Sequence, residues 1–146
     1  MRRALALAAE AAQRGEVPVG ALVVSAQGEI LAEAFNLRES RLSPTAHAEV
    51  LALEEASAKT GSWRLSGATL YVTLEPCLMC AGAALSARVE KVIFGAHDPK
   101  AGAVKTLYQV LEDSRLNHRC EVVGGLLEEE CAQLLSDFFK KLRQKK

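Results

Sequence analysis

The chain has 146 residues, 49% hydrophobic and 25% charged, with 18 basic side chains balancing 18 acidic ones. This content suits one domain over residues 1–146 with a sizeable core, the four prolines leave no linker composition, and no repeat is present. No apolar run approaches the ~20 uncharged residues needed to cross a bilayer, so a soluble, non-membrane protein is expected. Four cysteines, two of them in a C-x-x-C, fit a reducing compartment better than a disulfide framework, and the cytoplasm is the expected location.

In chain order, residues 2–14 read as an amphipathic helix, with Leu5, Ala8, Ala9 and Ala12 at near-helical spacing and Gly15 as its stop. The start imitates a signal peptide, but Glu10 ends the apolar run early and no cleavage site precedes Arg14. Val19 to Ser25 and Ile30 to Phe35 are β-prone runs joined by the turn Ala26-Gln27-Gly28-Glu29. A polar loop over 36–45 leads to Thr45, the expected N-cap of a helix of about 15 residues ending near Gly61. Ala68 to Thr73 is a third strand. Pro76 is expected to open a helix through about Ala87, and Lys91 to Gly95 to form a fourth strand. A short helix around 105–112, a strand at Cys120 to Val123 and an amphipathic helix from Leu126 to Leu142 complete the reading. Two strands followed by alternating strands and helices imply a mixed sheet covered by helices on both faces.

The zero net charge conceals an asymmetry. Lys140 to Lys146 hold five basic side chains and no acid, leaving 13 basic against 18 acidic residues before them. Such a tail is either a solvated helix end that complements the helix dipole or an arm that takes up nucleic-acid phosphates.

The most specific signal pairs His47-Ala48-Glu49 with Pro76-Cys77-Leu78-Met79-Cys80. It supplies three zinc ligands, His47, Cys77 and Cys80, and one carboxylate, Glu49, that is not a ligand. Three protein ligands leave a fourth position for water, the arrangement of catalytic rather than structural zinc. Cys77 and Cys80 are three apart at a helix start, on one face, where the helix N-terminus lowers thiol pKa. His47 and Glu49, two apart, do not face each other on an ideal helix, so the glutamate must reach around. Taken singly, each part has a plainer reading: a thioredoxin-like redox pair for C-x-x-C, a hydrogen-bonded core histidine, a surface glutamate. Together, H-x-E followed by P-C-x-x-C matches the zinc nucleobase deaminase signature.

Around this signature the chain resembles the bacterial tRNA-specific adenosine deaminases along nearly its whole length. The segments that carry the resemblance are Glu16 to Ala21, Asn36, Pro44 to Glu49 and Tyr71 to Ala83, then Phe94 to Lys100, Leu116 to Arg119 and Leu134 to Phe139. The last three favour the tRNA branch over general nucleoside deaminases. The resemblance implies a three-layer α/β/α cytidine-deaminase-like fold with a mixed five-stranded sheet. It also implies one zinc ion per subunit and a homodimer whose neighbouring subunit helps shape the site.

The implied reaction is hydrolysis of adenosine to inosine at the wobble position of a tRNA anticodon loop, with an arginine-accepting tRNA as the expected partner. The zinc activates a water for attack on C6, and Glu49 shuttles its proton to the ring nitrogen and then to the departing amine. An unpaired loop base splayed into a pocket suits this kind of recognition. By resemblance Asn36 contacts the base, its amide both donating and accepting, against the plainer role of a loop cap. Val19 and Ala48 are expected in the pocket wall, Asp98 and Lys100 beside the flanking nucleotides, and Arg64, Phe139 and Arg143 on the RNA surface. Cys120 and Cys131 match no ligand motif and are expected as small buried hydrophobes. Many relatives have a Gly-Ser pair near Val104-Lys105-Thr106, so Lys105 is expected to set a bulky cation near the RNA side. Two rival readings are a deaminase of free guanine or cytosine, or their nucleosides, and a noncatalytic RNA-binding module with structural zinc; Glu49 speaks against the second.

Overall fold

A computed structural model of the chain describes residues 1–146. The elements are α1 Arg2–Gln13, β1 Gly20–Val24, β2 Ile30–Phe35, α2 Ala48–Thr60, β3 Thr69–Leu74 and α3 Leu78–Ala87, followed by β4 Lys91–Ala96, a 3-10 turn Val110–Glu112, β5 Glu121–Val123 and α4 Glu128–Gln144. The strands form one sheet in the order β2-β1-β3-β4-β5. β1 is antiparallel to β2 and β3, whereas β3, β4 and β5 run parallel. Parallel neighbours need crossover connections, and α3 supplies the one between β3 and β4.

Strand alternation sorts the core into two layers. Ala21 and Val23 of β1, with Leu70 and Val72 of β3, face the main core beneath Ala48, Ala52 and Ala56 of α2 and Ala81 and Ala84 of α3. Leu22 points the other way, onto Ala4 and Leu7 of α1. α4 shares that second face, lying against β4 and α1. The result is the expected mixed five-stranded sheet between two helical layers. No helix is long and apolar enough to cross a membrane.

Gly95 sets how closely α4 approaches. A Cβ there would lie 2.3 Å from the Cys131 sulfur and 2.8 Å from the Thr73 carbonyl oxygen. Cys131 thereby fills the seam between helix and sheet as a buried small hydrophobe. Cys120 is buried too, its thiol donating to the Val89 carbonyl.

Most expected boundaries shift by a residue or two, and three of the differences bear on the site. α2 begins at Ala48 with His47, not Thr45, as its N-cap, because the Ala46 and His47 N–H groups donate to the Ser43 and Thr45 carbonyls in a tight turn. α3 begins at Leu78 with Cys77 as its N-cap, so Pro76 precedes the helix instead of opening it. The helix expected over 105–112 shrinks to Val110–Glu112. There the Ala103 N–H donates to the Pro76 carbonyl and the Val104, Lys105 and Thr106 N–H groups donate to the Glu75 carboxylate, which leaves no i→i−4 ladder to form.

Candidate active site

The candidate site lies past the carboxyl ends of the parallel strands β3 and β4, where open α/β sheets leave room for ligands. Cys77 follows β3 by three residues, and His97 and Asp98 directly follow β4. α2, on the same face of the sheet as α3, brings Glu49 and its N-cap His47 to the same place. Because His47 is an N-cap with extended backbone, φ −75° and ψ 149°, its ring leaves the helix while Glu49 sits in the first turn. That break removes the geometric objection of two helical residues on different faces.

The His47 Nδ1 atom lies 3.4 Å from the Cys80 sulfur and 3.8 Å from the Cys77 sulfur. All three donor atoms fall within 4.8 Å of one another and can hold one metal ion. Glu49 is not among them. Its side chain is buried, 4% exposed, and lines the same cavity as His47 and Cys77.

The charges are strongly coupled. A hydrogen bond from the Cys80 thiol pushes the Cys77 pKa down to about 3 against the effect of burial, with the His47 ring assisting. The same bond, with burial, pushes Cys80 far up. His47 is raised, chiefly by its hydrogen bond to Cys77. Glu49 is raised by burial. An ion that binds both sulfurs and the ring competes with protons for the same atoms, so affinity falls in acid.

The cavity is about 440 Å³ in volume, the size of a small-molecule site. Val19, Asn36, Ala48, Asp98, Lys100 and Phe139 all line it, together with His47 and Cys77 of the metal-type cluster and Glu49. Arg64 and Arg143 are not brought there. Arg64 stacks its guanidinium 5.3 Å from the exposed Trp63 ring and lines a separate polar cleft, and Arg143 lies in the last turn of α4.

Asn36 plays the loop-capping part. Its side-chain amide donates to the Val17 carbonyl at 3.2 Å, and its oxygen accepts the Arg38 N–H at 3.1 Å. One amide hydrogen and one lone pair remain for a ligand. Lys105 directs its ammonium to Glu112 at 2.8 Å and does not line the cavity.

Sequence reasoning missed Arg38, Glu75, His97 and Leu135 in the cavity wall. His97 accepts or donates at Nδ1 to Glu128 at 2.7 Å and packs edge-on against Phe94, which links the wall to the start of α4. The available signals were the placement of Glu75 beside Pro76 and of His97 directly after β4.

A family model for MafB19-like deaminases matches residues 1–143. The tRNA-specific adenosine deaminase of Bacillus subtilis is 56% identical over all 146 residues, covering 100% of this chain and 90% of that one. The chain belongs to this deaminase family. Among solved structures, one from studies of A-to-I editing by tRNA:A34 deaminases at the wobble position superposes with a TM-score of 0.88. Its identity is 41%, covering 92% of this chain and 97% of the other. The guanine deaminase of Bacillus subtilis is more distant, with a TM-score of 0.62 at 32% identity, covering 73% of this chain and 78% of that one. The neighbour at 0.88 shares the three-layer architecture of this family member, which fixes the fold as cytidine-deaminase-like.

Proposed function

We propose that this protein hydrolyses adenosine to inosine, with release of ammonia, at the wobble position of a tRNA anticodon loop, an arginine-accepting tRNA being the expected substrate. The carrying observation is a one-nitrogen, two-sulfur cluster with a buried carboxylate beside it that belongs to no ligand set. The relatives that act on tRNA support the choice of substrate.

The donors fit zinc. Tetrahedral bonds of about 2.0–2.1 Å to nitrogen and about 2.3 Å to sulfur set the two donor types about 3.6 Å apart, and the observed 3.4 and 3.8 Å bracket that value. Bound there by His47, Cys77 and Cys80, zinc would supply Lewis-acid activation of water near neutral pH.

The chain's own residues do the rest. Glu49, desolvated and so more basic than a surface carboxylate, takes one proton of the attacking water and gives it to the purine ring nitrogen; it then takes the remaining proton from the C6 hydroxyl as the carbonyl forms and gives it to the departing amine. Asn36, fixed at both ends by backbone bonds, presents its spare N–H and lone pair to the base edge. Val19 and Ala48 supply apolar wall, and Asp98 and Lys100, at the rim, face the neighbouring nucleotides. Phe139 offers an exposed ring for stacking. Arg64 and Arg143 serve the RNA surface outside the cavity. The homodimer implied by the resemblance is part of this reading, with Leu78, Leu107 and Tyr108 as exposed large apolar side chains.

The test compares inosine and ammonia formation from an anticodon stem-loop with release from free adenosine, guanine and cytosine. Conversion at the wobble adenosine alone is expected. Turnover confined to free bases would transfer the assignment to the nucleobase deaminases.

A further inference from the structure

Glu75 is 2% exposed, stands between β3 and the Cys77 N-cap, and lies opposite no cation within salt-bridge distance. Its charge is met entirely by donors from one loop. One oxygen accepts the Asp98 N–H at 3.0 Å and the Thr106 hydroxyl; the other accepts the N–H groups of Val104 at 3.3 Å, Lys105 at 2.9 Å and Thr106 at 2.9 Å. A carboxylate ringed by amides in this way behaves as an anion in a backbone nest.

The loop closes so tightly that Gly102 has no room for a side chain. A Cβ there would sit 2.4 Å from the Glu75 carboxylate and 2.6 Å from the Asp98 carbonyl oxygen. The Asp98 side chain then accepts the Lys100 and Ala101 N–H groups at 2.9 and 3.2 Å, and its carbonyl takes the Gly102 N–H at 3.0 Å. Asp98, Lys100 and Ala101 are cavity wall. A chain of bonds therefore runs from one buried carboxylate to the rim that meets the substrate.

We infer that Glu75 is a positioning residue for substrate binding, holding the Asp98 to Ala101 wall in the shape that receives the nucleotides around the target base. This rests on the RNA-deaminating reading for the identity of the substrate. The alternative role is support of the neighbouring Cys77, and the two differ in what they change. A misplaced wall weakens binding, and a disturbed metal cluster removes metal and turnover.

Glu75→Gln keeps the volume but sets an NH2 group against N–H donors whichever way the amide turns. With zinc content measured alongside, KM for an anticodon stem-loop is expected to rise about tenfold, the size of a lost buried hydrogen bond, with kcat within about threefold and zinc unchanged. Thr106→Val removes a single donor and should raise KM about twofold to threefold. It decides the matter if Glu75→Gln does not fold. Unchanged KM in folded Glu75→Gln, or in Thr106→Val when that variant alone is read, overturns the inference, as does a loss confined to kcat or zinc. Should the wild-type protein turn over a free base and no stem-loop, the RNA reading fails on its own, and the same KM against kcat comparison is made with that base.

Discussion

Glu49 lies in the first turn of α2, beside a metal-type cluster that does not use it, and burial raises its pKa. A structural site has no need of such a group, so its removal should separate chemistry from metal binding. Glu49→Gln is expected to cut inosine formation by about 10²–10⁴, the usual worth of a positioned general acid–base group. Metal content by elemental analysis should stay near one ion per chain. Full activity in that variant would eliminate the proton shuttle. Asn36 teaches a related lesson at the same scale. Capping a loop does not exclude a ligand contact, because the two backbone bonds leave one amide hydrogen and one lone pair free on a residue that lines the cavity.

Among the elements, the loop from Asn36 to Ala46 matters most because it carries Asn36 and Arg38 into the cavity and delivers His47 to the α2 cap. Glu16 anchors it. Fully buried, its carboxylate accepts the Glu39 N–H at 2.9 Å and the Ser40 N–H and hydroxyl at 2.7 and 2.6 Å. Burial alone would raise its pKa, but these bonds outweigh burial and hold it below the ordinary value of about 4.5. A carboxylate depressed in the folded state stabilises above its unfolded pKa and loses that stabilisation as pH falls through the folded value. The melting temperature is therefore expected to drop as pH falls below about 4.5. Glu16→Gln should lose about 1–3 kcal/mol at pH 6 and show a flatter acid slope by calorimetry. An equally steep slope in the variant would assign the acid sensitivity elsewhere.

For the molecule as a whole, α4 joins two regions of opposite charge. Its first turn holds Glu128, Glu129 and Glu130, and its last turn holds Lys141 and Arg143, in the sense that suits the helix dipole. That pattern satisfies the helix-end reading of the basic tail without touching the RNA-binding one. Replacing Lys140, Lys141, Arg143, Lys145 and Lys146 by glutamine keeps the helix and removes five charges. Weaker tRNA binding is expected, with the slope of log K against log salt reduced by about 0.7–0.9 for each phosphate that the tail no longer neutralises. An unchanged slope would leave the tail as a solvated helix end.

Much of this protein is written locally. β2 is readable to the residue, the metal-type triad and its spare carboxylate follow from spacing, and Cys120 and Cys131 are recognisable as core. Such features depend on side-chain chemistry and period along a few turns of chain. What tertiary structure decided is where amides separated in sequence spend their hydrogen bonds. The Glu75 nest replaces an expected helix, a tight turn moves His47 to a cap, and the Gly95–Cys131 seam places Leu135 and Phe139 over the cavity. Each of these joins residues that local pattern does not connect, and only the closed fold brings the partners within bonding distance.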